Sequence, residues 1–385
     1  MDGPALFWLA LVCLALVAVA MFDLVRGNRS IRFLREIAAE LPARPPRVSL
    51  VVAARDEERN LDAALASLLA QDYPDFEVIV VDDRSTDATP AILARQASAH
   101  ARLRVVRIDE LPAGWLGKNY ALHCGAAQAS GEILIFADAD VVMRPDAVRR
   151  AVAYALAARR DHVAVTPEII APGVLLGVFI GAFGMMFSLF ARPWKAPDPA
   201  SRRFIGIGAF NLVRAGVYRA VGGHQRIAMR PDDDIKLGKL IKDAGYAQEM
   251  LFGRGLVGVE WYPSLAALAH GLEKNSLAGV EYSVAAIAAG TLAQMICFVW
   301  PFIALACTSG ATLALNAVLC AILLAAGVDQ IRFMGIPRWY ALGLPLGVAA
   351  FVWILWRATL LTLRNDGIDW RGTHYPLAAL KANRV

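Results

Sequence analysis

The segment Ile133-Leu-Ile-Phe-Ala-Asp138-Ala-Asp140 decides the fold of this chain, because an apolar strand runs directly into two carboxylates. Side chains alternate along a strand, so Asp138 and Asp140 lie on the same side of it. Open α/β sheets bind ligands beyond the carboxyl ends of their strands, and carboxylate oxygens there suit a Mg²⁺ or Mn²⁺ ion that carries a phosphate. An isolated pair of this kind is more often an acidic turn before a helix. The surrounding sequence decides between the two interpretations.

The region from about 47 to 270 alternates β-rich runs with helical stretches. The strands are predicted at 48–53, 77–81, 104–108 and 133–137. Asn60 is predicted to cap a helix that ends near Ala70, and Thr89-Pro90 fits an N-cap followed by the first helical position. Continuous apolar strands separated by helices predict an α/β domain with a mostly parallel sheet and helices on both faces.

Acidic residues follow three of these strands. The groups after the first, second and fourth strands are, in order, Asp56-Glu57-Glu58, Asp82-Asp83 and Asp138-Ala-Asp140. Parallel strands bring their carboxyl ends to one edge of a sheet, so we expect a single ligand crevice there. The first strand has no G-x-G-x-x-G after it, and Gly117-Lys118 lacks the upstream glycine of a phosphate loop. The sequence therefore argues against a dinucleotide oxidoreductase and a P-loop nucleotidase.

The two ends of the chain are too apolar for an ordinary soluble enzyme. Hydrophobic residues make up 57% of the sequence, above the range of soluble domains. Residues 4–25 are apolar except for Asp23 and are long enough to cross a bilayer. The start Met1-Asp2-Gly3 and the arginines that follow predict a retained anchor at 1–26, not a cleaved signal peptide, with the chain beyond it in the cytoplasm.

The C-terminal third predicts further membrane helices. Its apolar stretches at 286–308, 311–328 and 341–363 form a predicted membrane region at 286–363, with a polar loop at 329–338 and a basic tail at 364–385. Four complete spans would put the C-terminal tail on the same side as the N-terminus, opposite the cytoplasmic residues that follow the anchor, yet the basic residues of the tail also favour the cytoplasm. One apolar segment is therefore expected to be re-entrant or interfacial. The net charge of +5 suits an anionic membrane surface and not nucleic acid.

Four motifs, in order and spacing, resemble the family 2 glycosyltransferases. The motifs are Val48–Glu58 (VSLVVAARDEE), Val80–Thr89 (VVDDRSTDAT), Gly114–Lys118 (GWLGK) and Phe136–Asp140 (FADAD). The resemblance implies an inverting, metal-dependent enzyme of the GT-A fold with a nucleotide-sugar donor, in a cytoplasmic domain at 47–280. It also implies the donor-binding residues. The nucleoside, expected to be that of a UDP-sugar, would contact Asp56, Glu57, Asp82 and Asp83. Lys118 would lie near the phosphates, and Asp138 and Asp140 would bind the ribose and the metal-diphosphate.

A second acidic cluster, Asp232-Asp233-Asp234, is followed by Leu237-Gly238. It resembles the family's Glu-Asp motif, which implies that Asp233 and Asp234 are the acidic pair and that Asp234 is the general base. Asp232 is equally well explained as a helix cap. Direct displacement needs a carboxylate that takes the acceptor's proton, and neighbouring carboxylates raise its proton affinity.

Upstream of this cluster, Gly206, Gly208 and Val221-Gly-Gly223 resemble the family's glycine-rich acceptor loop. These glycines either allow the substrate to approach closely or only relieve packing. The sequence leaves both interpretations open.

Two features predict a lipid acceptor. The stretch 174–190 is apolar almost all round and is either a buried core helix or, as we prefer, a membrane-dipping segment. The tail Asp369-Trp370-Arg371 resembles that of ceramide glucosyltransferases and hopanoid-associated relatives, which implies that Arg371 reaches the diphosphate. Trp370 and Tyr375 are otherwise ordinary interface anchors.

The Q-x-x-R-W motif of processive members is missing, and His270–Asn275 stands in that region. We therefore predict the transfer of one sugar to a lipid hydroxyl at the cytoplasmic face of the cell membrane by a multi-pass enzyme. The alternatives are a processive polysaccharide synthase and a non-catalytic protein that binds or transports lipid.

Overall fold

The computed structural model describes residues 3–385, which form two compact units. Met1 and Asp2, the first residues of the predicted anchor, lie outside the described residues. The first unit, the helical unit, contains the described residues up to Ser30 together with Ala171–Arg192 and Trp261–Ile368. The second, the α/β unit, contains Ile31–Ile170, Pro193–Glu260 and Asp369–Val385. The C-terminal residues Asp369–Val385 therefore belong to the α/β unit.

The strands lie where β-branched and apolar residues run together. In chain order they are β1 (Val48–Ala54), β2 (Phe76–Asp83), β3 (Leu103–Ile108), β4 (Ile133–Asp138), β5 (Val141–Met143), β6 (His162–Thr166), β7 (Glu168–Ile169), β8 (Asn211–Arg214), β9 (Gln248–Phe252), β10 (Val257–Val259), β11 (Gly367–Trp370) and β12 (Thr373–Pro376). The first four strands confirm the positions predicted from the sequence to within three residues at each end.

The α-helices connect these strands and form most of the helical unit; short 3₁₀ and π turns carry no number. In chain order the helices are α1 (Pro4–Ser30), α2 (Leu61–Leu69), α3 (Thr89–Ala99), α4 (Gly117–Gln128), α5 (Ala147–Ala157), α6 (Val174–Ala191), α7 (Ala215–Ala220), α8 (Gly223–Arg226), α9 (Asp233–Asp243), α10 (Leu265–Gly271), α11 (Glu273–Ser276), α12 (Val284–Gln294), α13 (Trp300–Cys307), α14 (Gly310–Met334), α15 (Leu344–Arg364) and α16 (Leu377–Ala382).

Within residues 3–385, the main sheet of the α/β unit has seven strands in the order β3-β2-β1-β4-β8-β6-β9. Strand β1 pairs in parallel with β2 and β4, and only β8 runs antiparallel, between β4 and β6. Every residue of β2 is buried, as expected for a strand covered on both faces. The structure thus confirms a mostly parallel α/β sheet.

The register of the central strands places the acidic residues. Ala54 of β1 pairs with Asp82 of β2, and Ala53 pairs with Asp138 of β4. The two carboxylates therefore flank the end of β1 on either side. This confirms that they share one edge of the sheet, because parallel strands in register end together.

The predicted cap at Thr89 is wrong by one position. Thr89 is the first residue of α3 and Ala88 is its N-cap. The backbone N–H of Thr89 donates to Asp87 Oδ1 (2.9 Å), while Thr89 Oγ1 accepts from the N–H of Glu57 (2.9 Å). The threonine hydroxyl therefore holds the loop after β1 instead of capping its own helix.

The helical unit contains the apolar segments. Among residues 3–385, five helical stretches are long and apolar enough to cross a membrane: Pro4–Ser30, Val174–Lys195, Val284–Cys307, Gly310–Met334 and Arg338–Arg364. The polar loop predicted at 329–338 is wrong in its first half, because α14 continues to Met334. Asp329 is held inside this helix by Arg29 of α1 (2.7 Å) and by Arg332 one turn later (3.3 Å).

Helix α6 packs within the helical unit against the region where α14 ends and α15 begins. A Cβ on Gly177 would lie 2.2 Å from Tyr340 Cε2, and a Cβ on Gly347 would lie 2.6 Å from that of Ala182. Near its other end, Ser188 Oγ accepts a hydrogen bond from Gln330 Nε2 (3.4 Å). Glycines at these positions allow close helix packing, which explains why a helix so apolar is more than half buried.

Candidate active site

The loop after β1 is tied to the loop after β2 by its own acidic residue. Asp56 has a left-handed backbone (φ 52°), and its Oδ1 accepts from the N–H of Thr86 (2.8 Å). In return, the N–H of Asp56 donates to Ser85 Oγ (3.0 Å), and Asp82 Oδ1 accepts from the N–H of Ser85 (3.1 Å). Asp56 and Asp82 therefore shape the two loops that border the crevice.

Cations lie against the other predicted donor-binding acids. Asp83 is paired with Arg84 Nε (2.7 Å), and Glu57 with Arg371 Nη2 (2.5 Å). Arg371 Nη1 also donates to the backbone carbonyl of Asp56 (3.2 Å). The structure thus brings Arg371, near the end of the chain, to the same edge as the predicted nucleoside-binding loops.

Lys118 joins this edge to the second acidic cluster. It lies in the first turn of α4, and its Nζ is 2.8 Å from Asp138 Oδ1 and 3.5 Å from Asp233 Oδ1. Burial alone would lower the pKa of Lys118, but the surrounding aspartates raise it well above its usual value. A lysine that stays charged between two carboxylates can also attract a phosphate.

Asp140 lies in a strongly acidic surrounding. Burial, together with the charges of Asp138 and Glu57, raises the pKa of Asp140 to about 7. In residues 3–385, no three His, Cys, Asp or Glu side chains are arranged to hold a metal ion by themselves. Two clustered carboxylates still fit a divalent ion that takes its remaining ligands from phosphate oxygens and water, as Mg²⁺ commonly does. Electrostatic repulsion between the acids would be relieved by such an ion.

Asp234 stands at the start of α9 with both carboxylate oxygens fixed by the backbone. The N–H of Gly208 donates to Oδ2 (2.7 Å), and the N–H of Ile235 donates to Oδ1 (2.8 Å). Burial and the neighbouring charge of Asp233 raise the pKa of Asp234 to about 7. A carboxylate held in this way can accept a proton near neutral pH.

Two glycines of the glycine-rich loop, Gly206 and Gly208, lie against α9 and have different roles. A Cβ on Gly206 would lie 1.8 Å from the carbonyl oxygen of Asp234, and one on Gly238 would lie 1.9 Å from that of Ile205. The loop therefore lies directly against the backbone of α9 at Asp234. Of the two interpretations left open by the sequence, the packing role fits Gly206. Gly208 instead donates its backbone N–H to Asp234. Gly208 also lies next to Asp138, because a Cβ on Gly208 would lie 2.8 Å from Asp138 Oδ2.

Asp232 differs from Asp233 and Asp234 because it forms ion pairs with Arg230 and Lys236. Arg230, which is 1% exposed, binds both oxygens of Asp232 at 2.9 Å, and Lys236 Nζ lies 3.8 Å away. Asp232 occupies the N-cap position of α9 but is held in a buried ion pair. Asp233 and Asp234 line a small cavity together with Lys118 and Asp138. The chain thus brings the two acidic clusters, about ninety residues apart in the sequence, into one site.

Four residues in or beside this site were not assigned to it from the sequence. Asn211 and His224 line the same cavity. Tyr375, interpreted above as an interface anchor, is buried, and its hydroxyl accepts from the N–H of Gly117 (3.3 Å). Asn383 holds the end of the chain nearby, because its Oδ1 accepts from the N–H of Met229 (2.8 Å). Of these residues, only His224 is marked by a local sequence pattern, the Gly222-Gly223 pair that precedes it and indicates a tight turn.

Part of the chain matches a known protein family, and curated proteins are similar to it. Residues 49–192 match the family described as Glycosyl transferase family 2. A 4,4'-diaponeurosporenoate glycosyltransferase of Staphylococcus haemolyticus is 27% identical over 219 residues, 56% of each protein. A beta-monoglucosyldiacylglycerol synthase of Synechocystis sp. is 41% identical over 111 residues, 28% of this chain and 23% of that protein. The chain thus matches about half of the first relative's length and a quarter of the second's.

Among solved structures, a mannosyltransferase from Pyrobaculum calidifontis in complex with GDP-Man and Mn²⁺ is similar with a TM-score of 0.53. The two chains are 19% identical, and the match covers 93% of this chain and 98% of the other. At this identity the likeness shows a shared GT-A-like fold and nothing more specific.

Proposed function

We propose that this chain, whose residues 49–192 match the glycosyl transferase family 2 model and whose fold is GT-A-like, transfers one sugar from a nucleotide donor to a lipid hydroxyl. One observation carries the proposal. Asp234, a carboxylate suited to accept a proton near neutral pH, shares a cavity with Lys118 and with Asp138 from the donor edge. A base and a phosphate-binding edge in one cavity are what a displacement at a sugar's anomeric carbon requires.

The donor is a UDP-sugar held along the edge formed by β1, β2 and β4. Glu57 and Asp83 recognise the nucleoside, in loops that Asp56 and Asp82 shape. Lys118 and Arg371 bind the diphosphate, and a phosphate would compete with Glu57 for the Arg371 guanidinium because both are bidentate acceptors. Asp138 and Asp140 would hold Mg²⁺ or Mn²⁺, which would offset the charge of the leaving diphosphate.

Asp234 removes the proton of the acceptor hydroxyl as that oxygen attacks the anomeric carbon. The diphosphate leaves from the opposite side, so the configuration at this carbon inverts. Gly208 and Ile235 each occupy one site on a carboxylate oxygen and leave others free for the acceptor's proton. Asp233 keeps Lys118 in place between the two clusters.

A lipid acceptor is supported by the chain's own composition and by its relatives. The chain passes five times between the α/β unit and the helical unit, so the catalytic residues are tethered to apolar helices. The names of two relatives specify 4,4'-diaponeurosporenoate and beta-monoglucosyldiacylglycerol. The arginines that follow α1 favour the cytoplasmic side of the cell membrane for the α/β unit, in a multi-pass protein. Helix α6 would then dip into the membrane surface.

The test is a donor panel. Purified protein in detergent receives labelled UDP-glucose, UDP-galactose, UDP-N-acetylglucosamine or GDP-mannose, with Mn²⁺ and lipids extracted from membranes. One donor should move its label into the organic phase, and Asp234→Asn should abolish the transfer. A ladder of products would instead support a processive synthase. A lack of transfer and hydrolysis with every donor would refute the proposal and favour a non-catalytic lipid-binding protein.

A further inference from the structure

His224 is a buried histidine in the wall of the catalytic cavity that no step above uses. It is 1% exposed and lines the cavity with Lys118, Asp138 and Asp234. A buried polar side chain normally has a hydrogen-bond partner for each of its polar atoms, so its ring nitrogens can be assigned one at a time.

Two glycines bring His224 to this position. Gly222 and Gly223 both have left-handed backbones (φ 80° and 48°), which residues with a Cβ adopt at a cost. A Cβ on Gly223 would also lie 2.7 Å from the hydroxyl oxygen of Tyr218. The Gly-Gly pair therefore lets the start of α8 turn tightly against Tyr218 and carries the imidazole into the cavity wall.

Tyr218 determines which ring nitrogen carries the proton. The hydroxyl oxygen of Tyr218 accepts the backbone N–H of His224 (3.1 Å) and lies 2.8 Å from His224 Nδ1. Tyr218 is buried, and its own hydroxyl proton needs an acceptor, which Nδ1 provides. Nδ1 is therefore the acceptor, and the proton of the neutral ring is on Nε2.

The ring is held in one orientation and one charge state. The ring of Phe136 meets it edge-on, with centroids 4.8 Å apart. Burial and the nearby charge of Lys118 lower the pKa of His224 to about 3. The imidazole is consequently neutral at every physiological pH, with Nε2–H as the donor left for the cavity. An ammonium cannot accept this hydrogen bond, so Lys118 is excluded as the partner and an oxygen is required.

We propose that His224 donates a hydrogen bond from Nε2 to a hydroxyl oxygen of the sugar carried by the donor, and so selects and orients that sugar. The cavity lies between Asp138 at the donor edge and Asp234, which is where the transferred sugar has to be if the proposed function is right. The nucleoside is assigned to the loops after β1 and β2, outside this cavity. His224 therefore distinguishes a nucleotide sugar from the bare nucleoside diphosphate.

The experiment compares binding of two matched pairs, UDP-glucose with UDP and GDP-mannose with GDP, by calorimetry on the full-length protein in detergent with Mn²⁺. His224→Phe keeps a ring against Phe136 but has no N–H, whereas His224→Gln can place an amide N–H near the position of Nε2. Tyr218→Phe leaves the histidine and removes only the hydroxyl that fixes the tautomer. His123→Phe, on α4 outside the cavity wall, is the matched control.

For the pair that the wild type binds, His224→Phe should weaken nucleotide-sugar binding about tenfold, the equivalent of one hydrogen bond, and change diphosphate binding less than about twofold. His224→Gln should recover most of the loss, Tyr218→Phe should show part of it, and His123→Phe should show none. Equal weakening of both ligands, or of neither, would overturn the inference. If His224→Phe does not fold, unchanged sugar discrimination in Tyr218→Phe overturns it. A wild type that binds neither pair would instead refute the proposed function.

Discussion

Asp234→Asn is the substitution that separates chemistry from binding most sharply. In the wild type, each carboxylate oxygen accepts one backbone N–H, from Gly208 at 2.7 Å and from Ile235 at 2.8 Å. An asparagine of the same shape has one acceptor oxygen, and its NH₂ group must face the other N–H. One hydrogen bond is therefore lost, at a cost of about 1 kcal/mol.

The magnitude of the activity loss distinguishes a base from a structural residue. A disturbance of about 1 kcal/mol changes a rate about fivefold at most, whereas the loss of a general base costs about 10²–10⁴-fold. We expect turnover to fall by about 10³-fold. Donor affinity should change less than about threefold, because Asp138 and Asp140 are untouched.

The assay measures initial rates of sugar transfer at saturating donor, together with donor affinity, for Asp234→Asn and for a control on the same helix. Asp243→Asn is that control, because Asp243 is exposed and paired only with Lys239 among the ion pairs described (2.6 Å). The wild-type rate should rise with pH through about 7, since the base works in its ionised form and its pKa is raised to about 7. A mutant turnover within about tenfold of the wild type would refute the role of Asp234 as base.

Three further predictions concern the metal, the loop and acid stability. Asp140→Ala should abolish the Mn²⁺-dependent part of donor binding in a titration with and without Mn²⁺, and unchanged binding would contradict its role as a ligand. Gly206→Ala should lower the melting temperature by several degrees, because its methyl would lie 1.8 Å from a carbonyl oxygen, whereas Gly216→Ala, in open space, should not. Burial lowers the pKa of His162 to about 4. As the pH falls below about 6.5 the unfolded chain gains a proton that the folded one does not, so stability decreases, by about 2 kcal/mol at pH 5. His162→Gln should make the melting temperature less dependent on pH between about 6.5 and 5, and an unchanged dependence would contradict this.

The sheet and its acidic edge were predictable because their determinants are local. The strand ending at Asp138 is a continuous apolar run, and Asp140 follows it in the turn before β5, close enough for the charge of Asp138 to raise its pKa. The parallel arrangement then follows from the helices between the strands. The resemblance to a known family added roles for these residues, and those roles remain predictions.

The other parts of the site depend on contacts between distant parts of the chain. Tyr375 meets Gly117 across 258 residues, and Asn383 meets Met229 across 154, and no local pattern indicates either pairing. The same reason explains the error at 329–338. Asp329 looks like a loop residue in sequence, but Arg29, 300 residues earlier, holds it inside a helix. His224 is buried in the wall of the cavity only because two glycines permit the turn that precedes it.

The mass of the product tests the central claim most directly. Wild-type protein is incubated with the preferred nucleotide sugar and membrane lipids, and the new lipids are analysed by mass spectrometry. We expect one lipid heavier by a single sugar residue, of inverted anomeric configuration by NMR, and its absence with Asp234→Asn. A series of products that differ by repeated sugar units, or no new lipid with any donor, would contradict the transfer of one sugar to a lipid.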